Sequence, residues 1–430
     1  MSVGIFIIIF LCIVLASFPI ASAFLLSSIV PNLVTPTFPF NIQLAFRAIV
    51  SGMNSFPILA IPLFILGGAI MARGGVSEAL FRFFAYFMGD KRAGYPCAVI
   101  ATCLFYGAIS GSGPATTAAV GSMTLPILLS LNYDKKFSAA VVGVSGALGI
   151  IIPPSIPFII YSTVTNVSTG DLFIAGILPG ILIGICLMAY AYYYCIKNGE
   201  DRDKLIDNYN MIRKQGFLKV FIHSLPALLC PVVVLGSIYG GIASPTEAAA
   251  VSVFYSLIVS LFIYKNVTIK DLPMLIVEGI RNTAPILFII ACAVTFSRVI
   301  TIMNVPSLVQ KTVMASLTSK AEILVMINVV LLFVGMLMDT LPAIMIFGPI
   351  FYPLASAVGV DLLHFGIIMV VNLAIGQATP PMGINLFVTS SLTGIPVIVI
   401  AKKAVPFLCW FLIALILITL IPQISLILLK

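Results

Sequence analysis

The chain has 430 residues, of which 61% are hydrophobic and 8% charged, and its net charge is +8. Soluble globular domains carry about 25% charged residues, so this composition excludes an ordinary soluble enzyme. The 22 Lys and Arg sit in short loops rather than on one face, which makes them a topology signal and excludes a nucleic-acid surface.

Apolar runs approaching the ~20 residues that cross a bilayer occupy 3–30, 56–72, 171–196, 221–240, 245–264, 283–303 and 407–428. They predict an all-α polytopic membrane protein with lipid along most of its length. The first run contains Ala21-Ser22-Ala23, which imitates a cleavage site, but the first basic residue is Arg47 and the run is too long for a signal core. It reads as a retained first helix. The eight cysteines (12, 97, 103, 186, 195, 230, 292, 409) lie in or beside apolar runs without a Cys-x-x-Cys pair. They are expected to be small core residues rather than disulfides or metal ligands.

The sequence repeats itself at an offset of 227 to 228 positions. Asn54, Pro57, Ile58 and Leu59 return as Asn282, Pro285, Ile286 and Leu287; Pro114-Ala115 returns as Pro342-Ala343; Pro153-Pro154 returns as Pro380-Pro381. Matching Gly/Pro-interrupted apolar segments in two halves are the mark of a secondary transporter. The expected organisation is a first repeat over 1–196, a charged linker over 197–219 and a second repeat over 220–430. The basic residues of the linker place it in the cytoplasm. Asp134-Lys135-Lys136 before the first broken segment and Lys402-Lys403 at the start of the last helix then require copies of opposite topology, an inverted repeat.

Two segments per copy are not plain spans. Residues 94–131 form two apolar legs around Ser110-Gly111-Ser112-Gly113-Pro114, and 321–358 form two legs (321–337 and 343–358) around Met338-Asp339-Thr340-Leu341-Pro342. Both read as re-entrant hairpins. The segments 137–168 and 365–393 are each broken by Pro-Pro, within Gly149-Ile-Ile-Ile152-Pro-Pro-Ser155 and Gly376-Gln-Ala-Thr379-Pro-Pro-Met382. Proline removes amide donors and frees carbonyls one turn earlier. Irregular backbone at membrane depth is tolerated only beside protein or a polar cavity. Freed carbonyls near the midplane suit a hard cation such as Na⁺, so two related cation sites are expected.

The tip from Ser110 to Thr117, including Ser112, Gly113, Pro114 and Thr116, offers hydroxyls and helix-end amides that suit a carboxylate. Asp339, Thr340 and Pro381 are the candidate substrate-side residues of the second copy, with Asp339 expected to cap its helix rather than ligate a cation. Ser244-Pro245-Thr246-Glu247 reads as a capping box, which accounts for Glu247. His223 and His364 fall near span ends, where interfacial or capping roles are expected. Gly111-Ser-Gly113 lacks the spacing of a nucleotide loop.

These features, with Gly-Ile-Ala-Ser-Pro-Thr-Glu-Ala-Ala-Ala-Val at 241–251 and Asn-Ser-Phe-Pro-Ile-Leu-Ala-Ile-Pro-Leu-Phe at 54–64, resemble the large membrane subunit of TRAP (tripartite ATP-independent periplasmic) transporters across essentially the whole chain. The resemblance implies an elevator-type transporter, scaffold plus transport domain, in a bacterial inner membrane. It also implies two partners, a small four-helix membrane subunit and a periplasmic solute-binding protein. Uptake of a carboxylate such as sialic acid or a C4-dicarboxylate would be coupled to two or more Na⁺. Family Na⁺ positions fall on Gly335, Gly376, Thr379 and Met382, and the second site on Ser110, Gly149, Ile152 and Ser155. The rival readings are an ion channel and an intramembrane serine hydrolase built on Ser110-Gly-Ser112-Gly, which would need a histidine at depth.

Overall fold

The computed structural model describes residues 3–429 apart from 17, 36 and 37, and every regular element among them is helical. Helices satisfy their own backbone groups, which hydrocarbon does not do. Eight helices among the described residues are long and apolar enough to cross a membrane.

The chain begins with α1 (Val3–Leu15), α2 (Ile20–Val34) and α3 (Ile42–Met53). The single helix expected over 3–30 is therefore two helices. Pro19 stands at the N-cap of α2, and its ring disfavours helical geometry at Phe18, so the first helix stops short of it.

Seven helices follow: α4 (Ala60–Arg73), α5 (Val76–Met88), α6 (Gly94–Ser110), α7 (Gly113–Ser130), α8 (Lys135–Ser145), α9 (Ile156–Thr165) and α10 (Thr169–Asn198). Next come α11 (Arg202–Arg213), α12 (Phe217–Tyr239) and α13 (Pro245–Ile258). The seven-helix order then returns as α14 (Leu272–Ile302), α15 (Val305–Ser316), α16 (Lys320–Leu337), α17 (Thr340–Ala357), α18 (Leu362–Gln377), α19 (Ile384–Thr393) and α20 (Val397–Leu420), before a short α21 (Gln423–Leu426). Helices α7 and α17 have 18 residues each, and α9 and α19 have 10 each. Packing between the copies is reciprocal: α7 lies on α19 and α9 on α17, while α8 lies on α20 and α10 on α18. Reciprocal contacts of this kind are what a two-fold relation generates.

Three boundaries differ from the sequence reading. Helix α14 starts at Leu272, well before the apolar run at 283, because Glu278 and Arg281 interrupt that run without breaking the helix. Lys402-Lys403 do not open the last helix; they lie inside α20, where the Lys403 ammonium stands 5.3 Å from the Tyr194 ring centroid. A long stem over apolar surface with its charge on an aromatic face makes that placement tolerable. Helix α17 starts at Thr340 rather than 343, since Asp339 accepts from the Thr340 amide at 2.8 Å and Pro342 sits in the first turn, where its missing N–H costs nothing.

The core lies at the broken helices. Every residue of α18 from His364 to Gln377 is buried, as is α8 from Phe137 to Ser145. By contrast α3, α12 and α13 turn large apolar side chains outward, among them Phe46, Leu218 and Phe254. The Ser244–Glu247 capping box at the start of α13 is present with both of its bonds. Of the free cysteines, Cys12 and Cys409 are exposed, whereas Cys103, Cys186, Cys195, Cys230 and Cys292 are buried. His364 is buried, with its Nδ1 3.2 Å from the Ser425 hydroxyl.

Candidate functional site

The legs of the first hairpin, α6 and α7, are joined by Gly111-Ser112, and those of the second, α16 and α17, by Met338-Asp339. Each leg has 17 or 18 residues, close to 27 Å of helix, so length alone does not separate a re-entrant leg from a span. Their contacts place the tips: each one meets a break in the middle of a helical segment.

In the first copy the break runs from the 3-10 turn Gly146–Ile150 to Ser155. Gly111 closes α6 at φ +60, and a β-carbon there would stand 2.8 Å from the Pro154 carbonyl, so this turn needs glycine. The Gly111 carbonyl accepts from the Ile156 amide at 3.4 Å. A β-carbon on Gly107 would lie 2.8 Å from Gly149 Cα, and one on Gly149 would collide with Thr116 Oγ1. Across the tip, Ser110 Oγ and Thr116 Oγ1 are 2.7 Å apart. The Ser155 hydroxyl donates to the Ile150 carbonyl and accepts from the Phe158 amide at 3.4 Å. The Ile152 side chain instead presses on Gly180 of α10, so only its main chain faces the break. Ser110, Ser112, Gly149 and Ser155 thus gather with Gly113, Pro114 and Thr116 around one tip.

The second copy repeats the plan with tighter backbone packing. A β-carbon on Gly376 would fall on the Gly335 carbonyl, so α16 and α18 cross main chain to main chain. The Met382 amide donates to the Met336 carbonyl at 3.0 Å and ties the break to the hairpin, while the Met382 side chain and Pro381 are exposed. Thr379 Oγ1 donates back to the Ile375 carbonyl at 2.6 Å. Its proton is thereby engaged and its lone pairs are left for a cation. Oxygen donors of this kind, carbonyls and a hydroxyl, suit a hard monovalent ion.

Asp339 Oδ1 accepts from the Thr340 amide at 2.8 Å and from Gln377 Nε2 at 3.4 Å, and Gln377 Nε2 also donates to Thr340 Oγ1 at 3.1 Å. Asp339 therefore works as a cap. Gln377 and its neighbour Asn385 were not legible in the sequence as site residues, because an amide gives no sign of its partners before the helices are assembled. Gln377 Oε1 and both side-chain polar atoms of Asn385 are buried without hydrogen-bond partners among the described residues.

A cavity of about 500 Å³ lies between the first tip and helices α4 and α14; Ser110, Ser112, Pro114, Gly68, Arg73 and Glu278 are among its walls. Arg73 Nη2 and Glu278 Oε2 are 2.8 Å apart, with both side chains partly exposed. A second cavity of about 640 Å³ is lined by Arg298, which donates to Ser51 Oγ at 2.8 Å. Glu278 and Arg298 lie about 30 Å apart along α14 at 1.5 Å per residue, so the cavities mark opposite ends of a membrane-long helix. The charged pair was also missed in the sequence, since Arg73 and Glu278 belong to different copies. Neither histidine is placed for hydrolysis at Ser110, whose hydroxyl meets Thr116; His223 lies tilted against the Tyr264 ring at 5.0 Å and His364 meets Ser425.

Residues 6–424 match the family model described as tripartite ATP-independent periplasmic transporter, DctM component. The isethionate TRAP transporter permease protein DctMQ of Oleidesulfovibrio alaskensis is 43% identical, covering 89% of this chain, and the chain spans 59% of that relative's length. The C4-dicarboxylate TRAP transporter large permease protein DctM of Pseudomonas aeruginosa is 40% identical, covering 86% of each chain. The structure of MtrF from Neisseria gonorrhoeae shares the fold, with a TM-score of 0.61 at 14% identity over 87% of this chain and 83% of that one.

Proposed function

Because the chain belongs to the DctM family of tripartite ATP-independent periplasmic (TRAP) transporters, we propose that it couples uptake of an organic acid anion to Na⁺ entry. The family is one of multi-pass permeases of the bacterial inner membrane, not of enzymes. One observation supports the coupling most directly. Two Pro-Pro breaks each pack against a hairpin tip, at close main-chain contacts where only glycine fits. One Na⁺ is assigned to Gly335, Gly376, Thr379 and Met382, and another to Ser110, Gly149, Ile152 and Ser155.

The acid group is assigned to the tips, at Ser112, Gly113, Pro114 and Thr116, with Asp339, Thr340 and Pro381 on the second copy. Amides at the start of α7 favour an anion there. Arg73 faces the same cavity and can exchange Glu278 for the substrate's acid group. Carboxylates such as a C4-dicarboxylate or sialic acid, and isethionate, fit this class. A periplasmic binding protein is proposed to deliver the acid, and a small four-helix subunit to complete the membrane part. The hairpins and broken helices would move together against α4 and α14, an elevator motion that carries tip and breaks past the scaffold.

The test is uptake into proteoliposomes holding the full system, with labelled isethionate, succinate and sialic acid as probes. Uptake of at least one acid should require external Na⁺. Uptake that continued unchanged with K⁺ in place of Na⁺ would remove Na⁺ coupling from this reading.

A further inference from the structure

Gln377, at the start of the second break, reaches both hairpins. Its Nε2 donates to Asp339 Oδ1 and Thr340 Oγ1 at the second tip. Its Oε1 points the other way, to the first tip, where a β-carbon on Gly113 would collide with it. The same β-carbon would stand 3.3 Å from Asn385 Oδ1. Gln377 is 5% exposed and Asn385 fully buried, and three of their four amide atoms have no hydrogen-bond partner among the described residues. A buried amide with unmet bonds is costly and held in place by its surroundings, so a shift at any of its neighbours is felt by the others.

Position matters as much as contact. Gln377 follows Gly376 at the C-terminal end of α18 and lies two residues before Thr379, between two residues assigned to the cation. In the first copy the equivalent residue is Ile150, which cannot make these bonds. The link is therefore built once, and it runs from the second break to both tips. Gly113 contributes the absence of a side chain: it leaves room for the amide, and its helical φ would accept alanine.

We infer that Gln377 is a positioning residue that couples cation occupancy of the second break to the placement of both hairpin tips. The inference rests on the Na⁺ reading above. When the loop tightens around a cation, Gln377 moves with it, and the tips that hold the acid group follow. Coupling of this kind is reciprocal, so a change at the first tip must be felt by Na⁺ at the second break.

The experiment uses the full chain in nanodiscs, with Na⁺ as the only probe and KCl holding ionic strength constant. Stabilisation against heat as Na⁺ rises gives a midpoint concentration. Gln377→Met keeps length and removes both amide bonds, and should raise the midpoint about fivefold, the lower end of coupling between sites. Gly113→Ala, on the opposite repeat and outside the second break, should raise it by a similar factor because its new methyl displaces the amide. The double variant should show no further rise, since both changes cut one link. Gln377→Asn, too short to reach Asp339, serves in the same way if the methionine variant does not fold. A parental midpoint in Gly113→Ala, or shifts that multiply in the double variant, overturns the inference. So does a uniform loss of stability at every Na⁺ concentration, which is what a packing role gives. A parent without Na⁺-dependent stabilisation overturns the Na⁺ reading itself, and the inference with it.

Discussion

At the scale of single residues, one difference between the two breaks bears directly on the proposed cation. Thr379 puts a hydroxyl where the first copy has Ile152, whose side chain is spent on Gly180. Thr379→Val keeps the shape and deletes the oxygen proposed as a ligand. It should raise the Na⁺ concentration for half-maximal uptake, whereas Ile152→Val should leave that value alone and cost about 0.5–1.5 kcal/mol of stability. Identical Na⁺ dependence in both variants and the parent would show that the hydroxyl is not a ligand. Arg73 and Glu278 make a different kind of pair. Both are partly exposed, so Arg73→Gln should change stability by less than about 1 kcal/mol while strongly lowering uptake. Glu278→Gln leaves the guanidinium free for the substrate and should lower uptake less; equal losses would reassign the pair to structure. Glycines and prolines of the site were legible in the sequence because their chemistry is an absence, of a Cβ or an N–H, that only particular backbones tolerate. Gln377, Asn385, Arg73 and Glu278 were not, because their roles depend on partners brought in by other helices.

At the scale of elements, the linker turned out to hold more than charge. Glu200 accepts from the Ala93 amide through both oxygens, at 3.0 and 3.1 Å, and from the Tyr133 hydroxyl at 2.6 Å. Asp201 accepts from Asn132 Nδ2 at 2.7 Å, and the Tyr95 hydroxyl donates to Asn208 Oδ1 at 2.8 Å. Residues at both outer ends of the first hairpin are thus fastened to α11 and the turn before it. Burial, reinforced by the Glu200 bond, pushes the Tyr133 phenol above its ordinary range. Glu200→Ala strands a part-buried amide and hydroxyl, so a loss of about 1–3 kcal/mol is expected, seen as a lower melting temperature and faster tryptic cleavage at Arg202 and Lys204. Unchanged cleavage would mean that the clasp is not rigid in solution. The amphipathic signal was present in Leu205, Tyr209 and Ile212 behind the Asp201 N-cap, but the density of charge masked it. The hairpins and breaks were easier to read, since Gly and Pro punctuate them twice at one offset.

At the scale of the whole molecule, seven helices recur in order and pack reciprocally, as a two-fold relation between the copies requires. Cavities at the two ends of α14, one at Glu278 and one at Arg298, fit an acid group entering from one side and leaving from the other. For the proposed Na⁺ coupling, energetics bear on the number of ions. A thousandfold accumulation costs about 4.1 kcal/mol, while one positive charge crossing 100 mV returns about 2.3 kcal/mol. A monoanion entering with one Na⁺ moves no net charge and gains nothing from the membrane potential; with two Na⁺ it moves one positive charge inward. In proteoliposomes with a fixed Na⁺ gradient, an inside-negative potential set with K⁺ and valinomycin should therefore accelerate uptake of a monoanion. Weakening either proposed ion site, by Thr379→Val or by filling Gly149 with alanine, should weaken that response. Uptake indifferent to the potential in the parent would reduce the coupling to a single Na⁺ and leave only one of the two breaks as an ion site.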